Sequence, residues 1–307
     1  MKKNRLGKSD INISELTLGC MSLGTDKKNA TKIIDAALDK GINHLDTADL
    51  YDFGLNEEMI GEIIHNKRKN IILTTKVGNH FNPYEKDWFW DPSKKYILHQ
   101  VKESLRRLKT DYIDFYMLHG GTIDDPIPET IEAFEQLKQE GIIRAYGISS
   151  IRPNVIREYV KHSTIDAVMM QYSLLDRRPE EEILDLLHKH QISVLARGPL
   201  AKGLVSNHAK AQITKKGKKG YLNYTHNELL TLSEQLETLG GGDTYTKNEL
   251  ALKYVLHHPV VASAVFGAST VEQINENTNI KLSETLPAEI YHKLQHLTKP
   301  IIYDKHK

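Results

Sequence analysis

Residues 71–76 read IILTTK, and residues 93–119 read SKKYILHQVKESLRRLKTDYIDFYMLH. Ile71 to Thr75 in the first stretch and Ile113 to Leu118 in the second are short runs of mostly apolar or β-branched residues that read as strands. Between them Ile97, Val101, Leu105 and Leu108 recur at the spacing of one helical face. A strand, a long amphipathic helix and a second strand form the crossover that joins parallel neighbours, because antiparallel strands need only a tight turn.

The same unit recurs outward in both directions. Upstream, Leu16 to Gly19 predicts a strand and Ala30 to Asp39 a helix with Ile33, Ile34, Ala37 and Leu38 on one face. Gly41 suits the end of that helix. Asn43 to Leu45 then predicts a strand and Glu57 to His65 a helix. Downstream, strands are expected at Ile143 to Gly147, Ala167 to Met170, Ile192 to Ala196 and Ala262 to Phe266. Helices are expected at Pro128 to Gln139, with Pro128 suited to its first turn, and at Pro153 to Val160, Pro179 to His188 and Val271 to Asn277. A polar connection over 198–225 precedes two helices near 226–239 and 246–257, which Gly240-Gly241-Gly242 separates. A last helix near 287–296 leads to a charged tail, and Lys3 to Leu6 and Ile11 to Ile13 flank Gly-Lys-Ser-Asp as a small N-terminal hairpin.

Eight strand–helix units are the number that closes a parallel barrel. The expected fold is therefore α/β, a (β/α)8 TIM barrel with an N-terminal β-hairpin and a C-terminal extra helix, in one domain over 1–307. An open doubly wound sheet is the alternative, but its phosphate loop would follow the first strand as G-x-G-x-x-G. The residues there are Gly19-Cys20-Met21-Ser22-Leu23-Gly24, which do not match.

Composition narrows the function. Lys and Arg number 41 against 40 Asp and Glu, a balance that argues against general nucleic-acid or acidic-membrane binding. No run approaches the roughly 18 apolar residues of a membrane span, and the start MKKNRLGKSDINIS lacks the apolar stretch of a signal peptide. Cys20 is the one cysteine, so no intramolecular disulfide forms. A cytoplasmic protein is expected.

Chemistry in such a barrel gathers where the strands run out. The first polar groups there are Asp46 and Tyr51 after the second strand, Lys76 after the third and His119 after the fourth. Ser149 and Ser150, Gln171, Arg197 and Gly267-Ala268-Ser269 follow the next four. An acid, a phenol, an amine and an imidazole at one mouth suit proton transfer to a carbonyl oxygen. A free phenol, with a pKa near about 10, is a poor acid at neutral pH. A neighbouring ammonium favours its anion, and a carboxylate keeps that ammonium charged. These groups move only protons, so the electron pair must come from a hydride cofactor.

At these residues the chain resembles the aldo-keto reductase family over nearly its whole length. The motifs, in the family's order, are Leu45 to Tyr51, Thr74-Thr75-Lys76, Ser104 to Leu108 with Asp111 to Asp114, Leu118-His119, Gly147 to Ser150, Gln171-Tyr172-Ser173, and Gly267 to Ser269 continuing through Gln273 to Glu276-Asn277. The resemblance implies a catalytic tetrad in which Tyr51 is the general acid, Lys76 and Asp46 tune it and His119 orients a small carbonyl substrate. It also implies NADPH across the barrel mouth, with Ser149 and Gln171 on the nicotinamide carboxamide and Ser269, Gln273 and Asn277 on the adenosine half. Gly19, Met21, Asp46, Arg197, Gly198, Leu200, Lys202 and Gly267 complete the implied cofactor set, and the start of the last αβ helix favours a phosphate. Three departures stand out. Arg197 and Ser150 occupy places where many members carry an aromatic residue and an asparagine. The stretch Gly267 to Gln273 lacks the Lys or Arg that many members place against the 2′-phosphate.

Other features admit two readings. Trp88-Phe89-Trp90 is a packed loop or an aromatic wall of the substrate pocket, with Trp88 and Trp90 facing substrate beside Tyr51 and His119. Lys215-Lys216-Gly217-Lys218-Lys219-Gly220 is a solvated loop or a flap over the cofactor pyrophosphate. His188, His190, His257 and His258 fall on different helices without a ligand pattern, so no metal is expected. Cys20 has no neighbouring base. Two other functions compete. One is a Schiff-base aldolase with Lys76 as nucleophile. The other is an NADP(H)-binding regulatory module, since the resemblance includes the β subunits of potassium channels.

Overall fold

The computed structural model describes residues 1–82, 84–241, 244–282 and 284–307; Gly242 of the glycine triplet lies outside them. The chain starts with a hairpin of β1 (Lys3–Arg5) and β2 (Asn12–Ser14), then runs through β3 (Leu16–Gly19), α1 (Lys27–Asp39), β4 (His44–Asp46), α2 (Leu55–Ile64) and β5 (Ile72–Val77). A second hairpin of β6 (Asn79–Asn82) and β7 (Asp87–Trp90) leads into α3 (Lys94–Leu108), β8 (Ile113–Leu118), α4 (Ile127–Gln139), β9 (Ile143–Ser149) and α5 (Pro153–His162). Then come β10 (Ala167–Gln171), α6 (Ile183–Lys189), β11 (Ser193–Arg197), α7 (Ala209–Lys216), α8 (His226–Leu239), α9 (Lys247–Val255), β12 (Val261–Gly267), α10 (Val271–Thr278) and α11 (Ala288–Leu297).

Eight of these strands close a barrel in the order β3-β4-β5-β8-β9-β10-β11-β12, with β12 pairing back to β3. Every neighbouring pair is parallel. The expected (β/α)8 architecture, its N-terminal hairpin and its C-terminal extra helix are all present. Strand alternation splits the core in two. Leu18, Leu45, Leu73, Tyr116, Leu118 and Ile148 point out to the helices, whereas Phe115, Met117, Ala145, Met169 and Leu195 fill the barrel interior. Leu6, Ile11 and Ile13 of the N-terminal hairpin pack into that interior, so the hairpin seals the bottom. Gly7 is required there, since a Cβ would meet the Asp166 carbonyl oxygen at 2.1 Å.

Helix starts follow side-chain chemistry. Asp26 caps α1 by accepting from the backbone of Lys28 and Asn29, which starts the helix before Ala30. Thr225 and Glu228 form a capping box at α8. Three regions differ from expectation. The Trp88-Phe89-Trp90 stretch, read as a packed loop or a pocket wall, lies in β7 of the second hairpin. The helix predicted over Pro179 to His188 divides into a 3-10 turn at Arg178–Glu181 and α6. The connection over 198–225 contains α7, a short helix anchored by buried Ala209 and Ile213. The lysine-rich stretch accordingly begins as the end of a helix, with Lys215 and Lys216 in α7.

The interior also holds a polar row. Ser263 Oγ lies 2.6 Å from Thr17 Oγ1, Thr17 Oγ1 lies 2.8 Å from His44 Nδ1, and His44 Nε2 lies 2.6 Å from Thr74 Oγ1. These bonds stitch β12, β3, β4 and β5 together below the mouth. Burial, reinforced by Lys76, lowers the His44 pKa to about 3, so the folded ring is neutral where an unfolded one would titrate near about 6.5. Below that value the unfolded state takes up a proton that the folded state refuses. Stability is therefore lost as pH falls from 6.5 towards 3, by up to about 1.4 kcal/mol per pH unit for this one group. Urea denaturation of His44→Gln between pH 7 and 5 should show a shallower loss of stability per pH unit than the parent; parallel slopes would contradict the assignment.

Candidate active site

Alternation along the barrel strands decides what reaches the mouth. Counting outward from the interior residues, the top inward positions are Gly19, Asp46, Lys76, His119, Ser149, Gln171, Arg197 and Gly267. The register supports this ring: Gly19 is level with Asp46, Gln171 with Arg197 and Gly267 with Gly19. Most of these residues belong to the strands rather than the loops after them, because backbone pairing continues one or two residues beyond the last apolar side chain. Asp46, Lys76, Ser149, Gln171 and Arg197 are therefore held by the barrel ladder itself.

The titratable side chains Asp46, Tyr51, Lys76 and His119 form one cluster. Lys76 is 1% exposed and Asp46 is 4% exposed. Lys76 Nζ lies 2.8 and 2.9 Å from the two Asp46 oxygens, and donates to the Thr47 carbonyl at 2.7 Å and to the Tyr51 hydroxyl at 3.4 Å. Burial disfavours the ammonium, but Asp46 and Tyr51 outweigh it and hold the Lys76 pKa above the ordinary lysine value. Burial pushes the Asp46 carboxyl up, with Lys76 pulling against it. Tyr51 opens a 3-10 turn, Tyr51–Gly54, in which Asp52 and Phe53 take left-handed backbone conformations and Gly54 has φ 93°. A side chain at Gly54 would press on Arg107, whose Cδ lies 3.0 Å from the Cβ position. The Tyr51 and His119 rings meet edge to face with centroids 5.8 Å apart. Burial, then the charges of Lys76 and Arg197, lower the His119 pKa to about 3, so its imidazole is neutral. Its Nδ1 is buried without a partner among the described residues.

A second polar layer backs the cluster. Thr75 points away from the mouth and donates to Glu57 Oε1 at 2.6 Å, while Arg107 Nε holds Glu57 Oε2 at 2.7 Å. Asp49 donates its backbone N–H to the Lys76 carbonyl and receives Gln100 Nε2 at 3.0 Å. Burial, then the Glu57 charge, pushes the Asp49 carboxyl well above the usual range. These residues fix the backbone from which Lys76 and Tyr51 project.

From the cluster a crevice of about 1000 Å³ runs across the mouth. Asp46, Tyr51, Lys76 and His119 line it together with Gly19, Met21, Ser149, Gln171, Arg197, Gly198, Leu200, Lys202, Gly267, Ser269, Gln273 and Asn277, so the expected cofactor residues converge on one space. Gln171 Nε2 donates to the Tyr221 hydroxyl at 2.9 Å, and Gln273 Oε1 accepts from the Ser269 backbone at 2.8 Å. A Cβ at Gly267 would crowd Ser22, whose Oγ lies 2.5 Å from that position. The chemistry fits an extended, phosphate-bearing nicotinamide cofactor. Buried Gln212 Oε1 and His119 Nδ1 have no partners, and Arg197, Lys202 and Lys216 have no carboxylate in salt-bridge reach among the described residues.

Trp88 and Trp90 are not among the lining residues. The β6–β7 hairpin, invisible to the helical and strand periodicities, carries Trp88 outward, 55% exposed. Trp90 packs its ring against Gly78 and Gly120 and donates Nε1 to Asp125 at 3.0 Å. Sequence reasoning missed Arg152, Ser206, His208, Gln212, Asn248 and the tail segment Tyr303–His306, all of which line the crevice. None ends an apolar run, and contacts distant in sequence bring them in. Among the described residues, no three His, Cys, Asp or Glu side chains group as a metal site, and no helix is long and apolar enough to cross a membrane.

Known proteins share this arrangement. The Aldo/keto reductase family model matches residues 15–299. An uncharacterized oxidoreductase of Bacillus subtilis is 55% identical, with all of both chains covered. An NADH-specific methylglyoxal reductase of Escherichia coli is 32% identical over 92% of this chain and 95% of its own. An aldo-keto reductase of Bacillus halodurans, solved in its holo form, is 53% identical and superposes with a TM-score of 0.92 over 100% of this chain and 99% of its own. The chain thus belongs to the aldo/keto reductase family, as an NAD(P)H-dependent oxidoreductase.

Proposed function

We propose that this chain reduces an aldehyde or ketone to its alcohol, reversibly, with NADPH as reductant and Tyr51 as proton donor. The observation that carries the reading is the position of Lys76 Nζ, between the Asp46 carboxylate and the phenolic oxygen of Tyr51 at 3.4 Å. A nicotinamide held in the crevice would supply the hydride that the carbonyl carbon takes up. Tyr51 gives its proton to the carbonyl oxygen, and the ammonium of Lys76 stabilises the phenolate left behind. Asp46 keeps that ammonium charged and in place. His119, neutral, donates one hydrogen bond to the carbonyl oxygen and sets its orientation. Ser149 and Gln171 fit the nicotinamide carboxamide, and Ser269, Gln273 and Asn277 the adenosine half.

The same geometry weighs against an aldolase. A Schiff base needs a free amine, and Asp46 holds Lys76 protonated. A purely regulatory, cofactor-binding role would not require four groups poised for proton transfer. Tyr51→Phe should bind NADPH, read by fluorescence quenching, within about twofold of the parent. Its carbonyl reduction should fall by about 10²- to 10⁴-fold. Undiminished turnover in this variant would remove Tyr51 from the mechanism, and binding without turnover in the parent would favour the regulatory role.

For cofactor choice, NADPH ahead of NADH rests on the family resemblance and on the uncompensated cations Arg197, Lys202 and Lys216 along the crevice. The NADH-specific relative from Escherichia coli makes the question direct. Titration should give NADPH the lower dissociation constant by about tenfold, a preference that narrows with added salt as expected for charge recognition. Equal affinities, or tighter NADH, would reverse the assignment.

A further inference from the structure

Cations at the crevice fall into two groups. Lys76 is neutralised by Asp46, and Arg178 is held by both oxygens of Asp176, with its Nε at 2.7 Å and Nη2 at 2.6 Å. Arg152 and Lys305 are different: among the described residues neither has a carboxylate in salt-bridge reach, yet both line the crevice. Arg152 follows β9, whose barrel neighbour β8 leads into His119, and its guanidinium donates to the carbonyl oxygen of Gly121. One hydrogen bond leaves most of the five guanidinium N–H donors unspent. His119 and Gly121 are two residues apart, a separation of at most about 7 Å between Cα atoms. Arg152 and His119 thus border the same crevice through neighbouring strands.

The C-terminal tail is fixed over the same place. The Asn154 backbone N–H donates to the His306 carbonyl at 2.9 Å. Glu181 receives the Tyr303 backbone N–H at 3.1 Å and Lys307 Nζ at 3.0 Å, which clamps the tail on either side of Asp304–His306. The Arg178 guanidinium lies over the Tyr303 ring, 5.2 Å from its centroid. The tail brings one acid, Asp304, with Lys305 and His306, so together with Arg152 this rim carries a positive excess.

We infer that the substrate this site prefers is a short aliphatic aldehyde or ketone bearing a carboxylate, held at its acid end by Arg152 with Lys305 in support. The planar guanidinium fork matches a carboxylate. The inference rests on the carbonyl-reductase reading above. The reduction is unchanged by the acid end: hydride adds to the carbonyl carbon, a proton to its oxygen, and the nicotinamide is oxidised.

Succinic semialdehyde and its methyl ester, methyl 4-oxobutanoate, share the reacting carbon and differ in charge. With NADPH, kcat/KM should favour the acid by about tenfold or more, as expected for a charge-assisted hydrogen bond. Added salt should shrink the preference. Arg152→Gln should cut the acid-to-ester ratio by about tenfold through KM, and Lys305→Gln, on the exposed tail, should cut it less. Because each variant is compared with itself on two substrates, a general loss of activity does not move the ratio. A parent that reduces both equally, or a ratio unmoved by Arg152→Gln, overturns the inference. A calorimetric titration of the NADP-saturated protein with 4-hydroxybutanoate separates this from the reductase reading. If neither aldehyde were reduced, that reading would fall, and the titration alone would decide the inference. Binding weakened about tenfold by Arg152→Gln sustains it, and equal binding by parent and variant defeats it.

Discussion

The buried ion pair of Lys76 and Asp46 is the constraint on which the rest of the site depends. Removing two charges from water costs several kcal/mol per ion, and only close, well-oriented partners offset that. Here the partners are both Asp46 oxygens, the Thr47 carbonyl and the Tyr51 hydroxyl, all within 3.4 Å of one ammonium. None of this exists unless β4 and β5 are adjacent with both side chains turned inward, and the parallel register of Asp46 with Thr74 supplies that. Barrel closure therefore comes first and the chemistry second. The outer face of β5 repeats the logic: Thr75, one residue away and pointing outward, meets a second buried pair, Glu57 with Arg107. A single strand thus carries a polar group on each face, and both groups must be satisfied for it to sit where it does.

Much of this arrangement is legible in the amino-acid sequence because the inward face of a barrel strand is apolar until it reaches the mouth. A polar residue that ends an apolar run is then both the stop signal of the strand and the side chain it presents at the mouth. Asp46, Lys76, His119, Gln171 and Arg197 are all found that way. The same rule misplaces boundaries. Reading the polar residue as the first of a loop ends β10 at Met170 and β11 at Ala196, whereas Gln171 and Arg197 are paired across the ladder. The side chain is wet, but the backbone is still a strand. His44 shows the opposite blind spot: a histidine in an apolar run looks like an ordinary strand residue, and its place in a row of hydroxyls appears only when four strands are aligned.

What periodicity could not show is held by contacts between distant segments. The β6–β7 hairpin is four residues a side, too short to announce itself, and its anchor is Trp90 against Gly78, Gly120 and Asp125. Helix α7 has only Ala209 and Ile213 buried, a weak apolar signal inside a polar, lysine-rich stretch. The tail has no period at all. It is placed by Glu181 and Asn154, more than a hundred residues earlier, so no local reading of Tyr303–His306 could bring it to the crevice.

Net charge is close to balanced over the whole chain, at +1, so the positive excess of the crevice is a matter of placement. A cleft with low-dielectric walls concentrates the field of the charges that line it. That field acts on the protein's own groups as well as on ligands. Burial is the larger cause of the lowered His119 pKa, and Lys76 and Arg197 add to it; Lys76 acts on His44 in the same direction. An imidazole that stays neutral across physiological pH keeps one donor and one acceptor in fixed roles. Lys76 and Arg197 therefore add to burial in holding His119 in the neutral state that its proposed role, orienting a carbonyl beside Tyr51, requires.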